Sequence, residues 1–278
     1  MNWFAVDDFL INSLKEDMPY YDLTTDSIVN DDSLCSIELI CKEDGIIAGL
    51  PVFKRVFELL GNVDISFNFK DGDIIKKGDI IANLKGNTKN ILSGERLALN
   101  IIQRMSGIAT LTNNLVKEIS HTKAKLLDTR KTTPGLRMFE KYAVKIGGGV
   151  NHRYSLSDGI LIKDNHIKAA GNITNAVTLV RNNIGNLKKI EVETESIEEV
   201  KEAILTNADI IMLDNMSIET MNDAVKVIDG AALTEASGNI DLSTIKSVAE
   251  TGVDFISSGA TTHSYKSLDI SLKNLKYI

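Results

Sequence analysis

Lys189-Ile-Glu-Val-Glu193, Ile210-Ile-Met-Leu-Asp214, Ala231-Ala-Leu-Thr-Glu-Ala236 and Phe255-Ile-Ser-Ser258 are short apolar runs that recur about every 20 residues along one stretch of the chain. Each is of strand length and too short for a stable helix. Between them, residues 196–207, 217–228 and 241–251 carry apolar side chains at helical spacing. Steady alternation of strand and helix predicts parallel strands joined by crossover helices. Lys125–Asp128 and Gly159–Lys163 are earlier runs of the same kind. A β/α barrel is the natural closure of such units.

The runs end in polar groups: Asp128-Thr129-Arg130-Lys131, Lys163-Asp164-Asn165-His166, Glu191 and Glu193, Asp214-Asn215, Glu235-Ala236-Ser237-Gly238, and Ser257-Ser258-Gly259. In β/α barrels the C-terminal face of the strands carries the active site. Reactive residues at so many strand ends point to a site rather than to solvated turns. Ser237-Gly238-Asn239 and Ser258-Gly259-Ala260 each follow a strand and precede a helix. Such turns let backbone N–H groups approach a phosphate, and the last two loops of a barrel often form a phosphate site. Gly147-Gly148-Gly149 reads equally well as a tight connection.

Upstream the rhythm differs. Residues 4–18 predict a helix ending before Pro19, residues 34–41 a strand, and Pro51 the opening of a helix through Leu60. Asp71-Gly72-Asp73 and Lys77-Gly78-Asp79 are turn signals within a β-rich segment, 63–84. This is a small α/β unit with antiparallel strands. Residues 95–119 predict one long amphipathic helix, with Ser93 as N-cap and Glu95 at the positive end of the dipole. Arg104 reads as a surface residue of that helix. Arg96, near the expected helix start, opposes the dipole and hints at another use.

The net charge of −7 argues against a general nucleic-acid binder. Between residues 130 and 168, however, eight Lys and Arg stand against only Glu140, Asp158 and Asp164. A basic centre in an acidic chain suits a small anionic ligand. No apolar run approaches the roughly 20 residues that span a bilayer, and the acidic start, Met1–Asp8, is unlike an export signal. Cys35 and Cys41 form neither a disulfide framework nor a zinc pattern. The expectation is a cytoplasmic protein with reduced thiols, binding neither nucleic acid nor membrane.

Arg130, Lys131, Arg153 and Lys163 lie on or beside strand ends. Arginine grips carboxylates bidentately and lysine acts as a point charge, so their convergence implies a ligand with several negative charges. Glu193 and Asp214 end neighbouring strands, suited to share a magnesium ion or a sugar hydroxyl pair, with Glu191 as the alternative to Glu193. His152 adjoins Arg153 and is placed to face an anion. His166 reads as a rim residue, His263 as a helix cap or phosphate contact, and His121 as plain surface.

The run Leu127-Asp128-Thr129-Arg130-Lys131-Thr132-Thr133-Pro134-Gly135-Leu136-Arg137 resembles the signature of the quinolinate phosphoribosyltransferase family. The likeness continues through Gly94-Glu95-Arg96, Ser106–Thr110, Lys145–Gly149, Asn151-His152-Arg153, Ile162–His166, Glu191-Val192-Glu193, Met212–Asn215, Glu235–Asn239 and Ser258-Gly259-Ala260, and so covers essentially the whole chain. Thr261-Thr262, before His263, departs from the family pattern, where an apolar residue comes first.

The resemblance implies an α/β protein: an incomplete (β/α) barrel of parallel strands, residues 111–267, with an N-terminal α/β sandwich domain. That domain comprises residues 1–110, including most of the connecting helix, joined by the tail 268–278. It implies transfer of the phosphoribosyl group of 5-phosphoribosyl 1-diphosphate to quinolinate with Mg2+, giving nicotinate mononucleotide, diphosphate and carbon dioxide in NAD synthesis. It also implies a homodimer, or a multiple of one, with Arg96 donated across the interface. On the same resemblance Arg130, Lys131, Arg153 and Lys163 form the cationic cradle, and Thr129 and His152 line the quinolinate pocket. Glu193 and Asp214 hold the ribose and the metal. Ser237, Gly238, Asn239, Ser258, Gly259, Ala260 and His263 hold phosphate. Lys131, Lys163, Glu193 and Asp214 are the catalytic candidates.

Three rival readings remain at this level. A strand-end Lys131 or Lys163 suits Schiff-base chemistry. The turns around Lys76 and Lys77 resemble a biotinyl or lipoyl carrier hairpin. The same scaffold also suits another heteroaromatic acid.

Overall fold

A computed structural model describes residues 1–185 and 187–278. The chain divides into two compact units. Met1–Asn113, Thr133–Gly148 and Tyr265–Ile278 make the first, and Asn114–Thr132 with Gly149–Ser264 the second.

The first unit opens with helices α1 (Trp3–Asp17) and α2 (Leu23–Ile28), followed by β1 (Leu34–Cys41), β2 (Gly45–Ile46) and α3 (Leu50–Leu60). Then come β3 (Val63–Phe67), β4 (Ile74–Ile75), β5 (Ile80–Asn87) and the long helix α4 (Thr88–Glu118). β1 alternates strictly, burying Cys35, Ile37, Leu39 and Cys41 on one face, as a half-covered antiparallel strand should. Those side chains share a core with Val52, Phe53, Val56 and Phe57 of α3 and with Ala98, Ile102 and Met105 of α4. Both cysteines are free and buried.

The start of α3 is built from three devices. Gly49 adopts φ +102°, Pro51 sits in the first turn, and Asp71 Oδ1 accepts from the N–H groups of Gly49 and Leu50, each at 3.0 Å. A Cβ on Gly49 would lie 2.7 Å from Met105 Sδ, so glycine is needed for packing as well as for conformation. The other Asp71 oxygen accepts from Tyr142 Oη at 2.8 Å.

α4 begins earlier than the apolar period predicts. β5 runs straight into it at Thr88, and Asn87 Oδ1 caps the Asn90 N–H at 3.1 Å. Ser93 is therefore inside the helix, not its cap. Arg96 lies about two turns in, beyond the reach of the end dipole.

The second unit starts with the end of α4 and β6 (Lys125–Leu127). The next helix, α5 (Arg137–Ile146), belongs to the first unit, where Phe139, Ala143 and Val144 enter the core. By their contacts, residues 133–148 group with the first unit. The second unit resumes with β7 (Ile160–Ile162), α6 (Asp164–Ala170), α7 (Ile173–Asn183), β8 (Ile190–Thr194), α8 (Ile197–Leu205) and β9 (Ile210–Asp214). It closes with α9 (Ile218–Ile228), β10 (Leu233–Ser237), α10 (Ile245–Glu250), β11 (Phe255–Ser257) and α11 (Ala260–His263). The six strands pair in parallel in the order β6-β11-β10-β9-β8-β7, an incomplete barrel. All five residues of β8 are buried, the pattern of a parallel strand covered on both faces. Asn172, Ser196 and Ser217 cap α7, α8 and α9.

The tail returns to the first unit as β12 (Ile270–Tyr277), antiparallel to β1 from Cys41↔Ile270 to Cys35↔Tyr277. It completes a four-stranded sheet ordered β12-β1-β5-β3. Among the described residues no helix is long and apolar enough to cross a membrane.

Asp71→Ala removes the acceptor for two helix-start N–H groups and for Tyr142. We expect it to destabilise the protein by about 1–2 kcal/mol, read as a lower urea midpoint. An unchanged midpoint would remove Asp71 from the account of α3.

Candidate active site

Parallel register sets the strand ends level. Glu193 lies opposite Met212, which lies opposite Glu235, and Asp214 lies opposite Ser237. These ends line a cavity of about 530 Å³. It brings together Thr129, Arg130, Lys131, His152, Arg153, Lys163, Glu193, Asp214, Ser237, Gly238 and Asn239. A larger hollow, about 710 Å³, lies beside Ile160, Ile190 and Asp209. Its Arg181 and Lys188 are turned onto backbone carbonyls, so it lacks this convergence of cations and acids.

The cations are held in different ways. Arg153 Nη1 donates to Gly159 O at 2.9 Å. Burial, and then the neighbouring Arg130 charge, holds the Arg153 guanidinium below its ordinary range, against the pull of Glu191. Two guanidinium groups that raise each other's energy are relieved by an anion between them. Thr129 Oγ1 accepts from Lys131 N at 3.0 Å and shapes the turn on which Lys131 sits. Thr262 Oγ1 donates to Lys131 O at 2.8 Å, so the departure at Thr261-Thr262 supplies a strut for that turn. Lys163 is ion-paired with the nearly buried Glu193.

The carboxylate side has a network the sequence reading did not assign. Asn215 Nδ2 donates to Asp214 Oδ2 at 2.7 Å, and Asn239 Nδ2 donates to Asn215 Oδ1 at 3.3 Å. Gly238 adopts φ +102°, and a Cβ there would fall 2.2 Å from Asn215 Oδ1. Only glycine lets the turn approach Asn215 this closely. Asn215 was visible in the sequence as a strand-end amide beside Asp214, but its role needed the neighbouring turn.

The second turn is narrower in function than expected. Ser258 Oγ donates to Ile240 O at 2.6 Å, and Ser258 N donates to Leu127 O at 3.1 Å. Ser258 thus directs both its hydroxyl and its amide into the protein. A Cβ on Gly259 would meet His263 Nε2 and Lys131 Cδ, both at 2.9 Å, so this turn, His263 and Lys131 adjoin.

At the cavity wall His152 is held on every side. Its N–H donates to the buried Asp128 at 2.9 Å, and Asp128 also accepts from Asn151 Nδ2 at 2.6 Å. Nδ1 accepts from Arg153 N at 2.8 Å. Nε2 lies 3.0 Å from Glu191 Oε2 and 3.6 Å from Glu235 Oε2. The ring nitrogens therefore face protein groups, not an anion as the sequence suggested. Burial first, and then the Glu191 charge, pushes the Glu235 carboxyl up to about 8. Asp128, Glu191 and Glu235 are acids inside apolar runs, the signal that could have marked them.

The remaining candidates sort as follows. His166 is exposed and its Nδ1 accepts from Lys163 N at 2.9 Å, a cap of α6. His121 is a surface residue near Glu250, as expected. Arg96 is exposed on α4 in the first unit, bordering a groove with Phe9 and Gln103, and does not line the cavity. Arg104 is not a plain surface residue. It is ion-paired with the buried Glu140, hydrogen-bonded to Thr133 Oγ1 and stacked 4.9 Å from the Tyr265 ring centre.

Known proteins match this architecture along its length. The model for "Quinolinate phosphoribosyl transferase, N-terminal domain" matches residues 22–106, and that for the C-terminal domain of the same family matches 108–273. A probable nicotinate-nucleotide pyrophosphorylase [carboxylating] of Bacillus subtilis is 47% identical, over 98% of this chain and 94% of its own length. The corresponding protein of Synechocystis is 44% identical, over 98% of this chain and 93% of its own length. The crystal structure of NadC from Streptococcus pyogenes superposes with a TM-score of 0.97 at 44% identity, covering 100% of this chain and 99% of that one. With both domains matched and the strand-end cavity in place, the chain belongs to the quinolinate phosphoribosyltransferase family.

Proposed function

We propose that the strand-end cavity is where this enzyme transfers the phosphoribosyl group of 5-phosphoribosyl 1-diphosphate to quinolinate, with decarboxylation, giving nicotinate mononucleotide for NAD synthesis. The observation that carries this reading is the meeting of Arg130, Lys131, Arg153 and Lys163 with Glu193 and Asp214 in one cavity. Quinolinate carries two adjacent carboxylates, and a multi-cation cradle suits that charge.

The ring nitrogen attacks the anomeric carbon as its bond to diphosphate breaks, through an oxocarbenium-like state. Fixed charges stabilise the leaving diphosphate and the developing cation. The ring, now cationic, accepts the electron pair released when the adjacent carboxylate leaves as carbon dioxide, and the resulting ylide takes a proton. Positioning and electrostatics supply most of the acceleration, with no covalent nucleophile. Glu193 and Asp214 face the ribose hydroxyls, and the amides of Gly238, Asn239, Gly259 and Ala260 face phosphate.

Two carboxylates with hard oxygens fit Mg2+, which usually takes one or two carboxylates and fills its shell with substrate phosphate and water. The ion neutralises diphosphate charge when bound. Glu193 and Asp214 would hold the ion, and Lys163, paired with Glu193 here, would be free for the cradle wherever Glu193 faces ribose. The enzyme works as a homodimer or a multiple of one, in the cytoplasm, with Arg96 of one protomer completing the cradle of its partner.

Quinolinate with 5-phosphoribosyl 1-diphosphate and Mg2+ should yield nicotinate mononucleotide by mass spectrometry, and nicotinate in its place should not. Product from nicotinate alone would mean that the second carboxylate is not recognised. Arg130→Ala and Lys163→Ala should each lower kcat/KM for quinolinate by roughly a hundredfold or more while the fold survives; near-normal turnover would undo the cradle. Mixing and reassembling inactive Arg96→Ala and Lys163→Ala proteins should restore about a quarter of wild-type activity, since half of the dimers are hybrids with one intact site. No recovery would place Arg96 in its own chain's site or outside the chemistry.

A further inference from the structure

Glu191 and Glu235 are buried at the strand ends, Glu235 lining the cavity, and have no part in the chemistry above. Among the described residues, Glu191 Oε1 and both Glu235 oxygens have no hydrogen-bond partner. Buried acids without partners are costly and need a reason. With His152 Nε2 they place ligand atoms within 4.8 Å of one another, a spacing that would also suit a metal ion.

The tautomer of His152 decides between the two uses. Arg153 N donates to Nδ1 at 2.8 Å, so Nδ1 carries no proton and Nε2 carries one. A protonated Nε2 has no lone pair for a metal. Moving the proton to Nδ1 would set it against the Arg153 N–H, donor against donor. Nε2–H instead points at oxygen, Glu191 Oε2 at 3.0 Å and Glu235 Oε2 at 3.6 Å.

We propose that Glu191, backed by Glu235, is a positioning residue that clamps the Nε2–H edge of His152 and thereby fixes the Arg153 backbone and the aim of its guanidinium. The linkage is short. Glu191 holds the ring, the ring accepts from the Arg153 amide, and the Arg153 side chain lines the cavity. Asp128 anchors the other side through the His152 N–H. The inference rests on reading this cavity as the quinolinate cradle.

Charge and position predict opposite signs, which makes the test sharp. Removing a carboxylate beside a dianion pocket should, by charge alone, tighten quinolinate binding. Loss of the clamp should weaken it. Glu191→Leu is expected to raise the KM for quinolinate about tenfold or more, with the KM for 5-phosphoribosyl 1-diphosphate within about twofold. Glu191→Gln, whose carbonyl still accepts from Nε2–H, should recover most of that loss. In a His152→Ala background, Glu191→Leu should add nothing. A lower or unchanged quinolinate KM in Glu191→Leu, or a Gln variant as impaired as Leu, overturns the proposal. If Glu191→Leu does not fold, ¹⁵N-histidine NMR of the wild-type protein decides: the signal lost in His152→Ala should be an Nε2–H tautomer, and an Nδ1–H tautomer overturns the clamp. Wild-type protein inactive on quinolinate would instead refute the functional reading itself.

Discussion

Parallel pairing is the constraint on which the site depends. In a parallel sheet all strands end at the same edge, so charged residues at those ends are forced together whatever their mutual repulsion. Register carries this out here: Glu193, Met212 and Glu235 share one level, and Asp214 and Ser237 the next. Arg153, half-buried and beside the Arg130 charge, sits at the edge of a sheet whose β8 and β9 are largely covered. An anionic ligand offsets that local positive charge.

The free protein offsets part of the cavity's charge internally. Lys163, just past β7, pairs with Glu193 of the neighbouring strand β8. The pair gives the nearly buried Glu193 an opposite charge at contact. On the functional reading proposed above, a dianion at Lys163 would have to displace this pair, as would a ribose at Glu193.

Much of this was legible in the sequence, for identifiable reasons. Apolar runs ending in polar groups located the strand edge, and all the cradle candidates met in one cavity. What the sequence hid was whatever depends on a third residue. The α4 start was misplaced because Asn87, a strand residue, serves as its cap. For residues 133–148, nothing local in α5 tells which core its apolar face enters. Arg104 read as surface because Glu140 and Tyr265 are far along the chain. The inward turn of Ser258 was hidden because its partners, Ile240 and Leu127, come from other loops and strands.

His152 shows the same limit at the level of a single proton. A histidine beside an arginine in a basic loop suggests an anion contact, and in sequence nothing contradicts it. The structure turns both of its ring nitrogens inward, one to an amide and one to a carboxylate. A histidine so fixed neither gains nor gives a proton without breaking a hydrogen bond, which suits a cavity wall better than a general base. On the functional reading proposed above, selectivity for two adjacent carboxylates would come from rigid placement of arginine forks, since a bidentate grip weakens steeply when its plane is free to swing. The buried acids and the cations would then be parts of one device: negative groups that hold a backbone still so that positive groups can hold a substrate.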